Sequence, residues 1–250
     1  MTVAVLTAIP QELGHLRAAL EDGAEVTAGP LTAYRGVIDG VPVLVAGAGI
    51  GKVNTAMATT LLLDRLGASA MIFSGVAGGL DPALAIGDVV IADHLVQHDA
   101  GWIEHGRLTP YHPGHIPFFN PVDAFGYSLD PELKTRAEAA LAGLVLPPVS
   151  RAAGGEDRPP RVVFGRVLTG DSYIHCEDTR ARLSGEIGGQ AVEMEGAAMA
   201  QVCAAFGAPW LVVRALSDLA GRDSRIDFRA FVTDVAAISA VIVRRLLPVI

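Results

Sequence analysis

Six apolar, β-rich runs punctuate the chain, at Val3–Ala8, Val41–Ala46, Ala70–Val76, Val89–Ala92, Val162–Leu168 and Trp210–Leu216. They are near-continuous rather than alternating, the pattern of strands covered on both faces. Helical periodicity fills several of the intervals, at Gln11–Leu20, Lys52–Leu66, Pro131–Leu141, Gly196–Phe206 and Phe228–Leu247. Strands alternating with helices predict an α/β fold, a largely parallel sheet with helices on both faces. There is no internal repeat. The 250 residues suit one domain, 1–250, with a sizeable core.

Two segments break the rhythm. Residues 102–127 are rich in Pro, His, Gly and aromatics, among them Tyr111, Pro113, Phe118 and Phe119. Long irregular stretches in compact domains serve as lids or binding loops when they carry packing groups, and the aromatics supply them here. Residues 147–160, with Ala152–Ala153–Gly154–Gly155, read as an exposed connection.

Composition narrows the class. With 51% hydrophobic and 18% charged residues, disorder is excluded. The mean hydropathy of +0.41 raises the question of a membrane span. However, the longest uncharged stretch, Gly196–Val213, is interrupted by Gly207 and Pro209, and reads as buried helix, turn and buried strand. No secretory pattern follows Met1, so the cytoplasm is the expected location. A formal net charge of −8 without a Lys/Arg tract argues against a nucleic-acid partner. Cys176 and Cys203 are isolated and read as reduced.

Two glycine clusters lie near strand ends. Gly47–Ala48–Gly49–Ile50–Gly51–Lys52 has neither a Walker pattern, because Val53 stands at the Ser/Thr position, nor a dinucleotide pattern, because Lys52 replaces the third glycine. A structural turn and close backbone approach to a ligand both remain open for it. Ser74–Gly75–Val76–Ala77–Gly78–Gly79 follows an apolar run, where small residues let a flat ring approach the backbone. His94, His98, His112, His115 and His175 show no zinc-ligand spacing, so no metal or cofactor is expected.

The carboxylates say more. Glu193 and Glu195 sit in the otherwise apolar stretch Ala191–Ala198, and buried carboxylates require polar partners. In an extended segment they point the same way. Asp218 ends the apolar run that contains Arg214, where either an acid or a turn cap with Ser217 would fit. Glu12 follows the first run, where first-turn helix placement would also account for it.

Together these pieces resemble the bacterial 5′-methylthioadenosine/S-adenosylhomocysteine nucleosidases of the nucleoside phosphorylase superfamily. The matching stretches are Ala8–Glu12, Gly49–Val53, Ser74–Gly79 with Gly87–Asp88, Thr169–Ile174, Val192–Ala198 and Arg214–Asp218, in family order. Residues 102–127 and 147–160 fall outside the match. The resemblance implies a three-layer α/β fold around a central twisted mixed sheet, and a homodimer.

By position, it makes Asp218 the acid that protonates adenine N7. Glu195 binds the ribose hydroxyls over Met194, and Glu12 handles the attacking water with help from Glu193 and Arg214. Tyr173 stacks on adenine, the Ile174 backbone reads the base edge, and Phe228 lines the 5′ pocket. Ile9, Ile50, Val76, Ala77, Gly78 and Ser217 complete the site. The implied reaction is hydrolysis of methylthioadenosine and S-adenosylhomocysteine to adenine and the 5′-thio-ribose, with no cofactor. A carboxylate at Glu12 would repel phosphate, which favours water over a phosphorylase reaction. Another 5′-modified adenine nucleoside, such as 5′-deoxyadenosine or aminofutalosine, is an alternative substrate. Non-catalytic nucleoside binding is the alternative of a different class.

Overall fold

The computed structural model describes residues 1–116, 118–120, 122–156, 158–221 and 228–250, with backbone alone for 228–230 and 232–234. Its elements, in order, are β1 (Val3–Thr7), α1 (Pro10–Ala18), β2 (Glu21–Ala28), β3 (Leu31–Ile38), β4 (Val41–Gly47), α2 (Lys52–Asp64), β5 (Ala70–Gly79), β6 (Val89–Gln97), β7 (Gly101–Glu104), β8 (Arg107–Pro110), β9 (Tyr127–Ser128), α3 (Pro131–Leu141), β10 (Val162–Thr169), α4 (Glu177–Ile187), β11 (Ala191–Glu193), α5 (Gly196–Phe206), β12 (Trp210–Asp218) and α6 (Phe228–Leu246).

Ten strands form one mixed sheet, in the order β11-β10-β6-β12-β5-β1-β4-β3-β2, with β9 on β6. Strands β4, β1, β5 and β12 are mutually parallel, whereas β6 runs antiparallel to β12. Strand β11 also pairs antiparallel with the far end of β5, Val192 against Gly78. That second pairing closes β5, β12, β6, β10 and β11 into a ring. The ends of β5, β11 and β12 are thereby gathered at one mouth.

The apolar runs become the buried strands. Strand β12 is buried at every position, and β1 likewise. Helices α5 and α6 both pack on β5 and β12 but not extensively on each other, so they cover opposite faces. Helix α2 joins α5, while α1 and α3 join α6, giving helix, sheet and helix layers. The apolar stretch 196–213 divides into α5, a left-handed turn at Gly207 and β12. No helix among the described residues is long and apolar enough to cross a membrane.

Four expectations need correction. The sheet is not largely parallel, because β2, β3 and β9 pair antiparallel, as do β6 with β12 and β11 with β5. Residues 102–127 are not wholly irregular. Strands β7 and β8 form a hairpin turning on His105 and Gly106, both at positive φ, as two-residue hairpin turns require. Ser74–Gly79 does not follow a strand but continues β5, hydrogen-bonded to β12. Residues 147–160 are anchored rather than loosely exposed. Val149 and Ala153 are buried, and Arg158 donates to the fully buried Asp88 at 2.7 and 3.0 Å. Burial alone would raise the Asp88 carboxyl; Arg158 and Arg161 outweigh it and bring it down to about 2.

Candidate active site

A cavity of about 400 Å³ opens at the mouth of the strand ring. Parallel strands deliver functional groups at their carboxyl ends, and β1, β4, β5 and β12 do so here. Ala8, Ile9 and Glu12 come from the β1–α1 junction, and Ile50 from the turn before α2. Val76, Ala77 and Gly78 belong to β5, while Arg214, Ser217 and Asp218 belong to β12. Tyr173 and Ile174 follow β10; Glu193, Met194 and Glu195 span the β11–α5 junction.

Arg214 is the one cation among the described lining residues, and its side chain is fully buried. Its guanidinium lies 4.4 Å from the Phe73 ring centroid. Nη2 is paired with Glu193 Oε2 and lies 3.4 Å from Glu195 Oε2. A Cβ on Gly75 would overlap the guanidinium, so only glycine leaves room for it there.

Glu193 is held by four donors. Arg214 is one; the others are the Thr169 hydroxyl and the backbone N–H groups of Glu195 (3.0 Å) and Gly196 (2.7 Å). The last belongs to the first turn of α5, where a carboxylate meets the positive end of the helix dipole. Glu195 is not in the strand but stands at the position before the first residue of α5, and its Oε1 accepts from Gly51 N–H at 2.9 Å. Its carboxyl is pushed up to about 7 by burial, opposed by Arg214 and reinforced by the charge of Glu193.

Glu12 sits in the first turn of α1, and its Oε2 accepts from Ala8 N–H (3.1 Å) and Ile9 N–H (3.3 Å). Pro10 begins that helix, where its missing N–H costs nothing. Oε1 of Glu12 is buried without a hydrogen-bond partner. Burial raises this carboxyl, against the pull of Arg214 and of the Ile9 and Ala8 amides. Asp218 Oδ1 accepts from Ala220 N–H at 2.8 Å, and Oδ2 from the Ser217 hydroxyl at 2.9 Å. Its turn-capping and site-lining positions therefore coincide. Gly78 lets this carboxylate approach, since a Cβ would stand 3.2 Å from Oδ1.

The structure brings every residue expected at the site into this one cavity except Phe228. The Phe228 side chain lies outside the described residues. Tyr173 is 66% and Ile50 54% exposed, which puts both at the rim. Three lining residues, Ala8, Ser172 and Val192, are not among those the sequence pointed to, although each neighbours one that is. The Gly47–Lys52 turn does direct an N–H at a carboxylate, but one of this chain, Glu195.

The family model described as the phosphorylase superfamily matches residues 2–248. A 5′-methylthioadenosine/S-adenosylhomocysteine nucleosidase of Mycobacterium bovis is 54% identical over 250 residues, covering 100% of this chain and 98% of the relative. Among solved structures, the S-adenosylhomocysteine nucleosidase of Streptococcus pyogenes in complex with 5-methylthiotubericidin is 32% identical. Its TM-score is 0.82, with 99% of this chain and 96% of that chain covered. Futalosine hydrolase of Helicobacter pylori is 27% identical with a TM-score of 0.80, covering 99% and 97%. On the full-length match to the phosphorylase superfamily and the identity to curated relatives, the chain belongs to the 5′-methylthioadenosine/S-adenosylhomocysteine nucleosidase family.

Proposed function

We propose that this protein hydrolyses the N-glycosidic bond of 5′-methylthioadenosine and S-adenosylhomocysteine, releasing adenine and the 5′-thio-ribose. The observation that carries the reading is the cavity itself, which Glu12, Glu195 and Asp218 line together with Arg214, the one cation among the described lining residues and already paired with Glu193 and Glu195.

Adenine leaves poorly until N7 is protonated, and Asp218 supplies that proton. As the C1′–N9 bond breaks, the ribose takes on oxocarbenium character, which surrounding carboxylates stabilise. Glu195 accepts from the ribose hydroxyls, with Met194 beneath the sugar. Glu12 orients water through Oε1 and takes its proton as oxygen bonds to C1′, with Glu193 and Arg214 fixing the local charge. Tyr173 stacks on the base, and the Ile174 backbone reads its edge. Ile9, Ile50, Val76, Ala77, Gly78 and Ser217 form the walls. Phosphate is disfavoured as the nucleophile, because Arg214 is neutralised and Glu12 would repel an anion.

A second substrate reading rests on the similarity to a futalosine hydrolase: the same chemistry on aminofutalosine or 5′-deoxyadenosine. A panel of these nucleosides, followed by adenine release, decides between them. Preference by at least about tenfold in kcat/KM for either thio-nucleoside supports the first reading, and the reverse order supports the second.

The protein is further proposed to act as a one-domain protomer of a cytoplasmic homodimer. Ile50, Val53 and Met57, exposed on and before α2 beside the cavity, suit an apolar contact with a second copy. Light scattering at twice the 26.0 kDa chain mass is the expected result; the chain mass itself contradicts it.

A further inference from the structure

Thr169 ends β10 directly opposite Glu193 in the parallel pairing of β10 with β11. Its hydroxyl is completely buried. The oxygen accepts from Ala197 N–H at 2.9 Å, in the first turn of α5, and the hydroxyl donates to Glu193 Oε1. Because the amide occupies the oxygen as acceptor, the hydroxyl proton is aimed at the carboxylate. Glu193 in turn pairs with Arg214, which reaches Glu195. A chain of side chains thus runs from the strand end to the sugar-facing carboxylate.

We propose that Thr169 is a positioning residue for hydrolysis: its hydroxyl holds Glu193, and through it the Arg214 guanidinium, in the orientation that serves Glu195. The inference rests on the nucleosidase reading and adds a residue that is not among those lining the cavity. The hydroxyl is the neutral member of a crowded ionisable group. Arg214 faces Glu193 from β12, Glu195 from the start of α5 and His98 from the end of β6, and Glu12 adds its charge from α1. A methyl group in place of the hydroxyl removes one donor from the anions and strands the Ala197 amide. The anionic cluster then takes its first proton at higher pH.

The test is the pH profile of kcat/KM for adenine release from methylthioadenosine by wild type, Thr169→Val and Thr169→Ser. Thr169→Val is expected to lose about 10- to 100-fold in kcat/KM, as for a hydrogen bond to a charged group. Its acid limb moves upward by about one pH unit. Thr169→Ser keeps the hydroxyl and retains the wild-type limb. Should Thr169→Val fail to fold, Thr169→Cys, with a weak donor of similar size, is read the same way. A folded variant lacking the hydroxyl but keeping the wild-type limb overturns the inference, as does a limb displaced equally by serine. An active wild type with either result overturns this inference alone. An inactive wild type overturns the nucleosidase reading and this inference with it.

Discussion

Gly51 and Glu195, 144 positions apart in sequence, are joined by one hydrogen bond from the Gly51 N–H to Oε1 at 2.9 Å. Gly51 adopts a φ of 97°, and a Cβ there would stand 3.1 Å from the Asp171 carboxylate. Asp171 in turn accepts from Lys52 N–H at 2.8 Å. The turn before α2 and the loop after β10 thus share a contact that holds the Glu195 donor in place. Gly51→Ala should strain both, at a cost of about 1–3 kcal/mol in local conformation. The expected outcome is a rise in KM with a smaller change in kcat, read from steady-state adenine release. An unchanged KM would remove Gly51 from the account of the site.

Asp218→Asn should abolish protonation of the base while keeping the fold. Its hydrogen bonds to Ser217 and Ala220 have amide counterparts, so the thermal midpoint should stay within a few degrees. The loss in kcat should be about 10²–10⁴-fold, the worth of a positioned general acid. A loss below tenfold, by the same assay, would take the acid role from Asp218.

Glu12→Gln separates binding from chemistry. The amide oxygen can still accept from Ala8 and Ile9, so the loop keeps its shape. Binding of methylthioadenosine, measured calorimetrically, should be near wild type while turnover nearly stops. Turnover close to normal would refute the role of Glu12 as base.

Much of this was legible before the structure. Strands such as β1 and β12 are apolar throughout because helices cover both faces, and that pattern survives without any knowledge of partners. Strand β2 escaped notice because it is a polar, largely exposed edge strand. Strand β11 has only three residues, stabilised by pairing with both β10 and β5, which no local pattern announces. Helix α4 is charged on most of its surface and buries little beyond Leu183 and Ile187. Residue pattern suggested that Glu193 and Glu195 needed partners, but Arg214 became that partner only through the closure of the strand ring. The roles of Glu12 and Asp218 came from the family resemblance, since each also occupies an ordinary capping position.

The pH dependence has a defined sign. In the proposed mechanism Glu195 meets the ribose hydroxyls as a carboxylate, the stronger acceptor, and burial, with Glu193 nearby, pushes its carboxyl up to about 7. The kcat/KM profile should therefore fall as pH drops through about 7, rather than near the ordinary carboxylate range. The stability contribution runs the other way. A raised carboxyl favours the folded state at low pH, and that contribution is lost as pH rises through the folded value. The stability difference between wild type and Glu195→Gln should shift against wild type between about pH 5 and pH 8. Denaturation at both pH values checks this, and an opposite trend would contradict it.

The central claim is that water, not phosphate, attacks the ribose in a cavity where Arg214, the one cation among the described lining residues, is already paired with Glu193 and Glu195. Its most direct test is adenine release from methylthioadenosine in rigorously phosphate-free buffer, repeated with added phosphate and with the sugar product identified by mass. The account predicts equal rates and free methylthioribose in both. Release that requires phosphate and yields the sugar 1-phosphate would contradict it.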